Sequence, residues 1–311
     1  MQIYRGAMPV PVSKLAVVTA GTFDGVHLGH RKIIDRLVEI ANQNNGDSTL
    51  ITYDPHPRLV LQPEFQELRN LTTLNEKIAL LEQAGLQRLV IIPFTIEFSE
   101  LTSLQFINQV LIDRLATKKL VIGYDHRFGK NREGGFDYLK ENGETFGFSV
   151  EEISRADIED IGISSSRIRK ALLEGNLTTA AKYLGRNYSL SGTVVEGKQL
   201  GRTLGYPTAN VVVDDPFKLI PADGVYANYT HLPDGRTLPS IMSIGTNPTL
   251  DASLRTVEVH LLDFNETLYA QKITIEFAHY LRGMMKFNGL DELKAAMKAD
   301  ENKARALFQM N

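Results

Sequence analysis

The chain has 311 residues, more than one hydrophobic core usually supports (about 250–300 residues), so two domains are expected. Hydrophobic residues make up 43% and charged residues 23%, the balance of a soluble globular protein, and the net charge of −3 leaves no basic excess for nonspecific binding to nucleic acid or anionic membrane. The absence of cysteine excludes disulfides, thiolate catalysis and Cys-ligated zinc.

No apolar run is long enough to span a bilayer, and Met1 to Pro11 has no apolar signal core, so a cytoplasmic location is expected. Leu15–Ala20 is a short apolar run suited to a strand buried on both faces. An amphipathic helix is expected from His30 to Asn42, with Ile33, Ile34, Leu37 and Ile40 on one side. Strand Thr49–Tyr53, helix Glu76–Gln83, strand Arg88–Pro93, helix Leu104–Leu115 and strand Leu120–Tyr124 follow. A further strand, Phe148–Ile153, precedes a helix Ser164–Leu173 closed by Gly175. This alternation implies a doubly wound parallel sheet, whose ligands bind beyond the carboxyl ends of its strands.

Near Gly185–Asn187 the pattern changes. Short segments with Gly and Pro turns follow: Ser191–Val195, Val211–Val213, Val225–Tyr229, Ser240–Ile244, Thr256–Leu262 and Lys272–Phe277. Six strands without intervening helices suggest a small closed β-barrel, and Leu290–Gln309 reads as a final helix. The expected fold is therefore an α/β domain over 1–185 followed by a β-barrel domain with a C-terminal helix over 186–311.

Two groups of residues in the first half suit phosphate. In Gly21-Thr22-Phe23-Asp24-Gly25-Val26-His27-Leu28-Gly29-His30, the histidines are spaced to share one helix face, and Gly29 between them allows close approach to the backbone. The helix N-terminus adds N–H donors and partial positive charge. A glycine-rich turn with surface histidines is the plainer alternative. Gly162-Ile163-Ser164-Ser165-Ser166-Arg167-Ile168-Arg169 places three hydroxyls and two guanidiniums at a helix start, equally readable as caps and a solvated face.

These segments resemble the FAD synthetase family of nucleotidyltransferases. The resemblance extends to Thr52-Tyr53-Asp54-Pro55-His56-Pro57 and to Gly123-Tyr124-Asp125-His126-Arg127-Phe128-Gly129. It implies transfer of AMP from ATP to FMN, with His27, His30 and Arg167 as catalytic groups. Gly21, Phe23, Asp24, Gly29, Ser164, Ser165 and Ser166 would then contact ATP, and His56 and Asp125 the flavin. Asp24 and Asp125 cannot hold phosphate directly, so ribose, adenine, flavin or metal contacts are expected of them. The family usually has an aromatic residue where His126 stands and Thr where Ser166 stands.

The second half carries Gly201-Arg202-Thr203-Leu204-Gly205-Tyr206-Pro207-Thr208-Ala209-Asn210. On an extended strand Thr208 and Asn210 point the same way, offering two hard oxygen donors suited to Mg²⁺. Gly201 and Gly205 permit a phosphate-wrapping loop that includes Arg202. In Thr256-Val257-Glu258-Val259-His260-Leu261, Glu258 and His260 should share the polar face, and Glu258 is a candidate general base. A turn with an edge strand and a solvated sheet face are the bland alternatives.

With Gly192–Gly197, Gly224–Ala227, Ile244–Thr249 and Glu258–Phe264, these segments resemble the riboflavin kinase module. The resemblance implies phosphorylation of riboflavin, with Glu258 as base, Thr208 and Asn210 on Mg²⁺, and Arg282 near the flavin. Departures are Glu196 where His is common, Ser243 where Asn is common, and Met284 where Glu is frequent. The combined expectation is an enzyme that converts riboflavin to FMN and FMN to FAD, with small-molecule partners ATP, riboflavin and FMN. Three alternatives stand beside it. One is a monofunctional FAD synthetase with an inactive kinase module, against which intact Thr208, Asn210 and Glu258 argue. Another is a non-catalytic flavin-binding regulator. The third is an aminoacyl-tRNA synthetase relative, against which the lack of a KMSKS-like loop and the net charge argue.

Overall fold

The computed structural model describes residues 1–62, 68–124, 126–154, 162–197, 201, 205–247 and 251–310. The chain divides into two compact units, Met1–Ser165 and Ser166–Asn311.

The first unit is built on a six-stranded sheet in the order β1-β4-β3-β2-β5-β6, in which every strand pair is parallel. The strands are β1 (Gln2–Arg5), β2 (Ala16–Ala20), β3 (Asp47–Asp54), β4 (Arg88–Pro93), β5 (Thr117–Gly123) and β6 (Ser149–Ile153). The apolar runs read as strands because successive side chains enter opposite faces, and both faces are covered. Ala16, Val18 and Ala20 of β2 pack in one cluster with Ile51, Ile92 and Ile122. Val17 packs in the other with Leu50, Leu89 and Val121. From β2 the chain winds outward to β3 and β4 on one side, where β1 forms the edge, and then to β5 and β6 on the other. The order therefore reverses between β2 and β5, where a doubly wound sheet opens its binding crevice beyond the strand ends.

The helix after β2, α1, runs Leu28–Gln43 and buries Gly29, Ile34, Leu37, Ile40 and Ala41. Helix Leu74–Gln83 begins two residues earlier than the periodicity suggested. Its start is set by a capping box: the Thr73 hydroxyl accepts from Glu76 N–H at 3.2 Å, and the Glu76 carboxylate from Thr73 N–H at 2.9 Å. The segment expected as one helix from Leu104 begins at Ser103 and continues with π-helical geometry over Ile107–Arg114.

The boundary falls at the first residue of helix Ser165–Leu173, and the second unit continues with helix Leu177–Leu184, capped by the Asn176 side chain and ended by Gly185 in the left-handed region (φ 72°). A closed antiparallel barrel follows, in the order β10-β11-β8-β7-β12-β9. Its strands are β7 (Ser189–Val195), β8 (Ala209–Val213), β9 (Gly224–His231), β10 (Thr237–Asn247), β11 (Asp251–Leu261) and β12 (Lys272–Arg282). Inside it Tyr226 meets Phe277 edge-on at 5.2 Å. Outside it Val225, Ala227, Leu262 and Leu281 pack against Ala304 of the C-terminal helix Leu290–Leu307. Closure gives every strand a neighbour on both sides, so the barrel presents no free edge strand.

Candidate active sites

In the first unit the site is the turn from β2 into α1. Phe23 (φ 46°) and Val26 (φ 39°) both take positive φ, a strained arrangement for side chains of this size. The Asp24 carboxylate over-determines the turn. It is buried at 2% exposure and accepts the N–H groups of Leu71 and Thr72 at 2.9 and 3.2 Å. Gly25 N–H donates to the Thr72 hydroxyl at 3.1 Å. What the sequence offered as a ligand contact at Asp24 is, in these bonds, the anchor of the loop.

His27 is the N-cap of α1, its Nδ1 accepting from His30 N–H at 3.2 Å. That role puts the ring proton of His27 on Nε2. The His30 ring stacks on it at 3.6 Å, and its buried Nδ1 has no hydrogen-bond partner among the described residues. Burial lowers the His30 pKa well below the usual histidine value, and any protonation of His27 and the Lys77 ammonium push the same way, so the ring is neutral. The pair thus shares one helix face, as the spacing required. Gly21 lies against the Phe23 ring, which an added Cβ would approach to 3.0 Å. The Ser165 hydroxyl donates to the Asp24 carbonyl at 3.0 Å, which ties this one serine to the histidine turn. Ser166 and Arg167 are exposed and Ser164 is half-buried.

Beyond β3, His56 caps helix Pro57–Leu61 through Nδ1, accepting from Arg58 N–H at 3.2 Å. Beyond β5, His126 stacks with Phe128 at 5.8 Å, and burial first, then Arg132 and Arg127, lower its pKa to about 4. A neutral flat ring thus stands where the family has an aromatic. Asp125 lies outside the described residues. Sequence reading missed Lys77, which is buried on the inner face of its helix beside Leu81. The signal was present, since Lys77 and Leu81 are four apart on the apolar side.

In the barrel, β11 alternates as expected: Val257, Val259 and Leu261 are buried, and Glu258 and His260 are half-buried. Glu258 stands directly across from Asn210 of β8. The Thr208 hydroxyl donates to the Glu258 carboxylate at a long 3.4 Å. Two glycines make room. A Cβ on Gly197 would collide with the Asn210 amide at 1.8 Å, and one on Gly201 would meet the Tyr206 carbonyl at 2.2 Å and the Thr208 hydroxyl at 3.2 Å. A hydroxyl, an amide and a carboxylate therefore converge beside Gly197 and Gly201. Gly205 takes φ 86° at the end of this loop, while Arg202 lies outside the described residues. His260 Nδ1 is 2.8 Å from the Pro207 carbonyl, which holds the loop exit against β11.

Arg282 forms a bidentate ion pair with the buried Asp300, its Nη2 at 2.7 Å and Nε at 3.0 Å. Its guanidinium thereby ties β12 to the C-terminal helix. Met284 covers Gly245 of β10, where an added Cβ would come within 2.9 Å of its Cε. The resemblance gives a carboxylate at this place. Met284→Glu should tighten riboflavin binding roughly 3–10-fold, the net worth of one ordinary hydrogen bond, in a flavin-fluorescence titration. Unchanged or weaker binding would show the position to be compensated or peripheral.

A parallel sheet with paired histidines on a helix start at its switch point, followed by a barrel with clustered oxygen donors beside a glycine loop, defines a two-domain transferase acting on nucleotides. The FAD synthetase family matches residues 11–167, and the riboflavin kinase family residues 184–308. The chain is 35% identical to the bifunctional riboflavin kinase/FMN adenylyltransferase of Haemophilus influenzae over 99% of both chains. It is 37% identical to that of Escherichia coli K12, over 94% of this chain and 92% of the other. A solved structure from Streptococcus pneumoniae, described as a macrolide-efflux protein, has TM-score 0.87 and 30% identity, covering 98% of this chain and 99% of that one. Among the described residues of this chain, no helix is long and apolar enough to cross a membrane. The chain belongs to the bifunctional riboflavin kinase/FMN adenylyltransferase family.

Proposed function

We propose that this chain phosphorylates riboflavin with ATP in its barrel and transfers AMP from a second ATP to the resulting FMN in its α/β unit. The observation that carries the reading is the survival of both sites in one chain: His27 and His30 stacked at the start of α1, and Thr208, Asn210 and Glu258 gathered on the barrel.

In adenylyl transfer the FMN phosphate attacks the α-phosphorus of ATP, and pyrophosphate leaves. The nucleophile is already an anion, so the protein needs no base. It must bring like charges together and offset the charge that develops, which is work for oriented N–H donors. His27 Nε2–H and the N-terminus of α1 supply such donors, and Arg167 adds a fixed positive charge. In the kinase reaction a ribityl hydroxyl attacks the γ-phosphorus of ATP, its proton goes to Glu258, and ADP leaves. Thr208 and Asn210, with hard oxygens beside Glu258, fit Mg²⁺ brought by ATP. The bound ion would offset charge on the phosphate oxygens. Labelled ATP tests both halves. A γ-label should enter FMN made from riboflavin, and an α-label should enter FAD made from FMN. Either label missing from its product would remove that activity.

The adenylyltransferase domain is assigned to residues 1–185 and the kinase domain to 186–311. A fragment beginning at Arg186 should therefore phosphorylate riboflavin alone. It lacks the Leu172 carbonyl that accepts from Ala222 N–H at 3.0 Å and the turn at Gly175 that abuts Tyr280. A fragment beginning at Gly162 should melt about 5 °C or more above it, with similar turnover. An inert Arg186 fragment beside an active Gly162 fragment would move the boundary to the earlier position.

A further inference from the structure

Lys77 is a charged group that neither reaction above uses. Its helix presents it inward, and it is 7% exposed. Its Nζ donates to the Thr22 carbonyl at 2.8 Å and to the Thr52 hydroxyl at 3.3 Å. Thr22 lies where β2 gives way to the phosphate loop, and Thr52 lies in the neighbouring strand β3. The Thr52 hydroxyl also donates to the Thr22 carbonyl, at 3.1 Å. One ammonium thus clamps the entry of the loop to the sheet.

Charge gives the clamp a second consequence. Asp24, two residues past Thr22, is a buried carboxylate inside a loop that has to receive a polyphosphate. Asp54 ends β3 nearby. A buried anion beside an anion site opposes binding unless a cation offsets it. Burial lowers the Lys77 pKa, and the Asp24 and Asp54 charges act in the opposite sense, favouring the ammonium.

We propose that Lys77 is the buried counter-charge of the adenylyltransferase loop, a positioning residue that ties Thr22 to β3 and offsets Asp24 and Asp54 so that the loop accepts the phosphates of ATP. The proposal rests on the assignment of the His27–His30 turn as the ATP-phosphate site.

The experiment uses the full chain with FMN as acceptor, so that only adenylyl transfer is read. Two inhibitors are titrated against ATP: inorganic pyrophosphate, which is anionic, and adenosine, which is neutral. In Lys77→Gln and Lys77→Met, inhibition by pyrophosphate should weaken about 10-fold or more, as expected for loss of one nearby charge in a poorly solvated place. Adenosine should inhibit as it does in the native chain. Gln keeps a donor for Thr22, so it serves where the Met variant does not fold. Asp24→Asn combined with Lys77→Gln removes one charge of each sign and should regain most of the pyrophosphate affinity. Unchanged pyrophosphate inhibition in Lys77→Gln, or equal weakening of both inhibitors, would overturn the counter-charge role. Removing both histidines separates the two readings. If FAD formation survives that change, the phosphate site itself is misplaced. If it collapses while the Lys77 variants bind pyrophosphate normally, only the role of Lys77 falls.

Discussion

Glu258→Gln should lower riboflavin phosphorylation by about 10²–10⁴-fold, the usual contribution of a general base. The ribityl hydroxyl is a poor nucleophile while protonated, and Gln keeps the shape of Glu258 without accepting the proton. Thr208, which donates to the carboxylate at 3.4 Å, can donate equally to the Gln carbonyl oxygen, so the loop around Gly201 should hold its form. Binding of Mg-ATP to the barrel should change little, because Thr208 and Asn210 remain. FAD synthesis from added FMN should be normal. The variant would then make FAD from FMN but not from riboflavin. Phosphorylation near the native rate, where chemistry limits turnover, would make Glu258 structural. Loss of both activities would mark general misfolding, and the kinase role would then be read from Glu258→Asp, which keeps the carboxylate on a shorter arm and should retain more kinase activity than Gln.

The other large effect belongs to the paired histidines. His27→Ala with His30→Ala should lower FAD formation by about 10²-fold or more, the scale of lost oriented charge stabilisation. Riboflavin phosphorylation should persist. Because His27 Nδ1 also caps α1, the Ala variant loses a cap worth about 1 kcal/mol. His27→Asn distinguishes the two roles, since Asn caps well but has no imidazole. FAD formation should still fall in His27→Asn while the melting temperature stays near native. Near-native FAD formation in the double Ala variant would remove the histidines from the reaction.

Much of this architecture was legible because short-range chemistry dictated it. Leu15–Ala20 could be read as a doubly buried strand since every position in it is apolar or small, and Val17 and Val18 do enter opposite cores. Glu258 and His260 could be assigned to one face because strand periodicity is two. The closed barrel followed from six short strands with no helix between them. Long-range partners were not legible. Nothing near Asp24 in sequence announces that its carboxylate will hold the amides of Leu71 and Thr72, 47 and 48 residues away. Arg282 carried a flavin expectation from the family resemblance, and its guanidinium pairs with Asp300 on a helix that follows later in the chain, a partner that the sequence does not announce. The spacing of Lys77 to Leu81 puts it on the inner face of its helix, but its acceptors, Thr22 and Thr52, lie 55 and 25 residues away and could not be read from sequence. Gln2–Arg5 was passed over as a strand because it has only two apolar residues, and its place at the sheet edge beside β4 explains why that suffices.

The most direct test of two activities in one chain is a time course from riboflavin, ATP and Mg²⁺, with the flavins separated by chromatography. FMN should appear first and then give way to FAD, with two ATP consumed and one pyrophosphate released for each FAD formed. Riboflavin that stays unchanged while added FMN is converted would leave a single-activity FAD synthetase. Riboflavin and FMN both left unconverted by folded protein would contradict the account entirely.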